Sequence, residues 1–271
     1  IMKNIIELVT KAAEGRLEGV SDGVVAAIAI VGGLILVLGL VSLVVSIWLG
    51  IKYYKYNRTE NAVGKTGEEI ARKVLDDNGL GNIKVSKSGS FLFGNSYSHY
   101  FRKVRLRRLT WQKKSVTSMA MAAQKASLAV LDKENDPDMR TRVRLTPLIY
   151  IGPIAFIPLI FIGVLLDVAV FHSATGTIAL IFIGLGLLFY ILSFVMSLMT
   201  LKTEVKAQKK ALIILEKDGL ATAQEREMCR ELFRLYNIEY INDMIIAMLE
   251  ILLRVLEIVA SSQHSASLKN D

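Results

Sequence analysis

The sequence has one cysteine, three histidines and four prolines in 271 residues. A lone cysteine, Cys229, excludes an internal disulfide and any zinc site built on cysteines. It is expected to sit half-buried on a helix rather than to react. Four prolines, no internal repeat and no low-complexity tract leave no Pro-rich linker and no repeat array. Charge is missing locally. Val24 to Gly50 and Gly176 to Leu198 carry none, and Leu148 to Val170 carries only Asp167. The glycines inside these runs, Gly32-Gly33 and Gly184 with Gly186, are not phosphate loops, because no strand precedes them and no lysine follows at the required spacing. They suit close helix packing.

What is present is apolar residue in quantity: 52% of the chain is hydrophobic and the mean hydropathy is +0.43. A bilayer core of about 30 Å needs about 20 apolar residues at about 1.5 Å each. Residues 24–50 satisfy this, and residues 147–199 hold two further runs separated by a short loop at His172–Thr175, as in an antiparallel hairpin. Trp48, Tyr53, Tyr54 and Tyr56, interleaved with Lys52, Lys55 and Arg58, have the aromatic and basic character of a membrane interface.

The net charge of +8 is uneven. Residues 51–146 hold twenty basic and nine acidic side chains, and the rest of the chain is close to neutral. A basic segment attached to membrane spans is read as cytoplasmic, facing anionic head groups, and not as a nucleic-acid surface. Its densest part is Arg102, Lys103, Arg105, Arg107 and Arg108, followed by Lys113 and Lys114. Lys202, Lys206, Lys209 and Lys210 close the third run on the same side.

Between the spans the chain reads as mainly helical. Residues 1–23 form an amphipathic helix with Ile5, Ile6, Val9, Ala12 and Ala13 on one face. Thr66 with Glu69 makes a capping box for a helix that Asn78-Gly79 ends. The alternating residues 83–87 and 104–106 predict a small β-hairpin. Residues 108–132 read as helix, with small side chains through Ser118–Ala129. Residues 200–236 give cytoplasmic helices with a stop at Gly219. In residues 237–261, Glu239, Asp243, Glu250, Arg254 and Glu257 fall on one stripe. That segment is read as an interfacial helix, with a fourth span as the alternative, and residues 262–271 as a flexible tail. The fold class is therefore a helical integral membrane protein with three transmembrane helices, a possible fourth, and a small hairpin in a basic cytoplasmic portion.

Thr66-Gly67-Glu68-Glu69-Ile70-Ala71-Arg72-Lys73-Val74-Leu75, Val104-Arg105-Leu106, Ser115 to Ala123, and Thr200 to Leu212 follow in the order and spacing of a known family. Over about residues 30–258 the chain resembles the YugP-like membrane zinc metallopeptidases of bacteria. The resemblance implies residence in the bacterial inner membrane. It also implies a site on the small-residue helix, where the family has an HEVGH motif: two histidines one turn apart bind zinc, and the glutamate between them activates water. The matching residues here are Gln124, Lys125, Ala126, Ser127 and Leu128. The family's third ligand corresponds to Glu204, and an acidic or amide residue two places later corresponds to Lys206. An acidic, histidine-containing segment of the family matches Asn95-Ser96-Tyr97-Ser98.

A lysine in place of the base, and a leucine in place of a ligand, lead to the expectation of no bound cofactor or metal and no catalysis. His99, His172 and His264 are not placed to rebuild the site. Lys125 and Glu204 are read either as an ion pair where zinc would sit or as two solvated charges. The function expected is a non-catalytic membrane subunit, a pseudopeptidase that scaffolds or regulates a complex. Its contact surface would be the basic cluster at 102–114 together with Glu239, Asp243, Glu250, Arg254 and Glu257. The expected partners are membrane proteins, an active relative or a second copy, and anionic lipid. Two alternatives stand beside it: a still-active membrane metallopeptidase with an atypical site, and a small transporter or channel component.

Overall fold

The computed structural model describes residues 2–15, 17–89, 94–146, 158, 161–162, 166 and 177–267. The chain divides into two compact units: residues 1–50 with 235–271, and residues 51–234.

The first unit is built on three helices: α1 (Met2–Ala13), the first part of α2 (Asp22–Arg58) and the last part of α8 (Ala223–Ser267). Its core joins Ile5 and Ala12 of α1, Ile28, Val31 and Ile35 of α2, and Leu253 and Ala260 of α8. Among the described residues α2 is the one helix long and apolar enough to cross a membrane. Only 22% of its most apolar window is buried, so it is not the covered core helix of a soluble domain.

The second unit is organised around α5 (Val116–Lys133). Ser115 caps it by accepting from the Ser118 backbone N–H, and nearly every side chain from Val116 to Leu131 is buried. Alanine and serine at these positions let neighbouring helices approach closely. On one side lies α3 (Gly67–Asp77), whose buried face is Ile70, Ala71, Val74 and Leu75. On the other lies α7 (Thr177–Lys217), which buries Ala207, Ala211, Ile214 and Leu215. A short α4 (Arg108–Gln112) precedes α5, and residues 137–146 are helical (α6). The helix expected over 108–132 is thus broken after Gln112 by an extended Lys113 and the Ser115 cap.

The capping box at Thr66 and Glu69 forms as expected, and Gly79 and Gly219 adopt left-handed backbone at the two expected helix ends. Gly67 is required for another reason. A Cβ there would lie 2.0 Å from the Thr110 carbonyl oxygen. Backbone cannot yield as a flexible side chain can, so Gly67→Ala should cost about 1–3 kcal/mol. Thermal unfolding of the detergent-solubilised chain measures this as a lowered Tm.

The expected β-hairpin is corrected. Strands β1 (Lys84–Lys87), β2 (Ser96–Ser98) and β3 (Lys103–Leu106) form a sheet in the order β1-β3-β2. β1 and β3, the two strands read from the sequence, pair in parallel, Lys84 opposite Lys103. The antiparallel pair is β2 with β3, closed by a turn in which the Arg102 N–H donates to the His99 carbonyl and Arg102 has φ +45°. β2, Ser-Tyr-Ser, lacks the apolar alternation that marks a strand in sequence.

Two more expectations change. The helix expected after Gly219 in 200–236 and the one expected over 237–261 are one helix, α8, because Asn237 at their junction is no breaker. Of the three expected spans, the first is α2, and the third run begins α7 but continues unbroken past Leu198 to Lys217. Of the second, 148–170, only residues 158, 161–162 and 166 are described, and Asp167 and the His172 loop lie outside the described residues.

Candidate functional site

The small-residue character of α5 brings α7 close enough for side chains of the two helices to meet. Glu204 of α7 sits between them. Its Oε2 accepts from Gln124 Nε2 at 2.8 Å and from Lys125 Nζ at 2.7 Å. Its Oε1 accepts from Arg142 Nη2 of α6 at 3.0 Å. Arg142 Nη1 also donates to Thr203 Oγ1 at 2.7 Å, and that hydroxyl donates to the Thr200 carbonyl. Lys125, Arg142 and Glu204 side chains are 13%, 18% and 17% exposed. Of the two readings of Lys125 and Glu204, the ion pair is the one observed. Burial pushes the Glu204 carboxyl up, but the Lys125 and Arg142 cations beside it outweigh burial and hold it below the usual carboxylate range.

Leu128, one turn after Gln124, is fully buried with Leu131, Met139 and Ala207, and Tyr97 and Val143 pack on the same cluster. One turn further, Asp132 Oδ2 accepts from the Tyr97 hydroxyl at 2.6 Å and lies 2.6 Å from His99 Nδ1. Burial and the Asp132 contact push the Tyr97 phenol well above its ordinary value. Lys206 does not join Glu204. It pairs with Asp136 at 2.7 Å and with Asp138, while Lys202 reaches Asp138 at 2.8 Å and Lys210 reaches Glu134. An acidic turn after α5 therefore neutralises lysines that the sequence offered as a membrane-facing flank.

The zinc that the resemblance implies can be tested against these residues. A structural or catalytic zinc takes at least three nitrogen, sulfur or carboxylate ligands. Here two positions hold an amide and an apolar side chain, and the one carboxylate is already shared by two cations. Among the described residues no group of three histidine, cysteine or acidic side chains could hold a metal. These residues do not fit zinc.

The remaining candidates are dispersed. Arg102, Arg107, Arg108 and Lys114 are exposed, Lys103 and Arg105 lie half-buried on β3 opposite Val104 and Leu106, and Lys113 is half-buried. Arg105 lies 5.7 Å from the exposed Phe101 ring. Glu239, Asp243, Glu250, Arg254 and Glu257 lie on α8. Cys229 is completely buried, and burial, reinforced by the Glu225 charge, pushes its thiol up to about 12, so it carries no thiolate chemistry. Arg142, Thr203 and Asp132 were not singled out from the sequence. Arg142 stands in a run of arginines that looks like any solvated charge run, and only the packing of α6 on α7 distinguishes it.

A family model described as "Putative neutral zinc metallopeptidase" matches residues 31–260. The chain belongs to this family. A protein of Bacillus subtilis (strain 168) named "Putative membrane protease YugP" is 25% identical over 223 residues, covering 81% of this chain and 94% of the relative. No solved structure matches the chain. This membership corrects the expectation of a chain that is not an enzyme. The family and the relative both point to a peptidase, and the expected scaffold role is withdrawn with it. The expectation rested on Gln124, Lys125 and Leu128 alone. Their identities say how zinc is not held. They do not say whether a peptide bond is cleaved.

Proposed function

We propose that this member of the zinc metallopeptidase family is a membrane-attached peptidase that cleaves polypeptide near the bilayer through an atypical site centred on Glu204. The observation that carries the reading is the Glu204 carboxylate itself. It stands where the resemblance implies a family ligand, and it is ionised, mostly buried, and flanked by two cations and an amide. Hydrolysis needs a group to take a proton from water as its oxygen bonds to the peptide carbonyl carbon. It also needs positive charge where the carbonyl oxygen becomes an oxyanion. Glu204 supplies the first, and Lys125 with Arg142 the second. The tetrahedral intermediate then breaks its C–N bond, and the leaving amine takes the proton from Glu204. A carboxyl held this acidic is a weak base, so turnover is slow.

The test uses the purified full chain in mild detergent with an unfolded polypeptide such as casein. Wild type should cleave it, with or without chelator. Glu204→Gln should lose cleavage by about 100-fold or more, in line with removal of a general base. Arg142→Lys, which keeps the charge and alters only the fork, should lose about 10-fold or more. Absence of cleavage by wild type, or cleavage by both variants at the wild-type rate, overturns the reading.

A further inference from the structure

In the first unit the end of α8 runs antiparallel to α2 along its whole apolar length. Near one end Ser46 Oγ donates to Glu239 Oε1 at 2.7 Å. One turn along, Ser42 Oγ donates to Asp243 Oδ1 at 2.8 Å, and Asn242 Nδ2 donates to the Leu38 carbonyl at 3.0 Å. The middle is the core of Ile28, Val31, Ile35, Leu253 and Ala260. At the other end the Ser21 N–H donates to Gln263 Oε1 at 2.9 Å, and His264 Nδ1 lies 2.8 Å from the Glu18 carbonyl. Ser21 to Ser46 and Glu239 to Gln263 each span about 36 Å at the helical rise, slightly more than a hydrocarbon core.

We infer that residues 239–263 cross the bilayer beside α2, as the second arm of a transmembrane helical hairpin. A helix lying flat at the interface could touch a spanning α2 at one level only, whereas α8 touches it at both ends and in the middle. The outer faces agree. On α2, Leu34, Val37, Leu40, Val44 and Ile47 are exposed. On α8, Ile241, Met248, Leu252, Val255 and Ile258 are exposed. Such faces suit lipid tails, which need no polar partner. Charge is why composition alone hides this arm, since a charged side chain in hydrocarbon is costly unless paired. Here Glu239 and Asp243 are met by serine hydroxyls of α2, and Arg254 pairs with Glu257 at 2.6 Å. Ser42 and Ser46, the polar residues within the α2 run, are thereby used. The occupant of the apolar surface is the bilayer, and Glu239 and Asp243, the first two carboxylates of the stripe, face the α2 helix instead of a protein partner.

The inference requires α2 to span but does not depend on peptidase activity. The test places single cysteines in a Cys229→Ala background of the full chain in native membranes: Asp22→Cys, Lys55→Cys and Ser267→Cys. Each is labelled with a membrane-impermeant maleimide in sealed vesicles of both orientations. Asp22→Cys and Ser267→Cys should label from one side, and Lys55→Cys from the other. If Asp22→Cys and Lys55→Cys oppose each other but Ser267→Cys labels with Lys55→Cys, α8 does not cross and the inference fails alone. If Asp22→Cys and Lys55→Cys label from the same side, membrane crossing by α2 fails and the inference fails with it.

Discussion

Glu204→Ala should destabilise the folded chain by about 3 kcal/mol or more at neutral pH, because removing one partner of a mostly buried ion pair leaves the others uncompensated. Two cations, Lys125 and Arg142, would then face each other with no anion between them, and the Gln124 amide would lose its acceptor. Side-chain exposures of 13–18% admit some water, which places the loss near the low end of the range for fully buried pairs. The same carboxylate sets a pH dependence. Its folded pKa lies below the ordinary 4.5, so its contribution is complete above that value and is lost as pH falls through the lowered folded value. Denaturant unfolding at a series of pH values should show wild type weakening below about pH 4.5. The Glu204→Ala curve should be flatter there. Equal slopes would mean that the cations do not stabilise the carboxylate.

Leu128→Ala should cost about 2–5 kcal/mol, the range for emptying a fully buried leucine position. Leu128 has no exposure, and it is held by Leu131 of α5 itself, Met139 of α6 and Ala207 of α7, which limits collapse into the space. A loss well under 1 kcal/mol, read from the denaturation midpoint at constant slope, would show that α5, α6 and α7 relax around the site. The result bears on chemistry as well as stability. A metal ligand introduced at this position enters a packed apolar cluster, and metal binding must offset the cost of burying it.

Much of the frame was legible because its signals are local. The Thr66–Glu69 capping box, the left-handed stops at Gly79 and Gly219, the charge-free run of α2 and the small-residue α5 each depend on a few neighbouring residues. The resemblance read from residues 30–258 agrees with the family match over 31–260. What failed was long range. Residues 84–87 and 104–106 do pair, but in parallel, because Ser96–Ser98 takes the antiparallel edge. The lysines at 202, 206 and 210 looked like a membrane flank, yet each meets an acid from residues 134–138. Arg142 reaches Glu204 across 62 positions, a distance at which no sequence pattern pairs two charges. The stripe from Glu239 to Glu257 looked outward-facing. Its first members instead meet hydroxyls roughly 200 residues away in sequence. The expectation of lost catalysis failed differently, by treating one absent metal geometry as absent chemistry.

Lys125 and Arg142 stand where the resemblance puts the family's metal, and both pair with Glu204. The most direct measurement is the zinc content of the full chain, purified in mild detergent from zinc-supplemented cells, beside the triple variant Gln124→His, Lys125→Glu, Leu128→His. Wild type should carry far less than one zinc per chain and show a thermal midpoint that a chelator does not move. The triple variant should acquire zinc and lose stability when chelated. A wild-type chain carrying about one tightly held zinc, removed by chelator with a fall in Tm, would contradict the pairing of Glu204 with cations in place of metal.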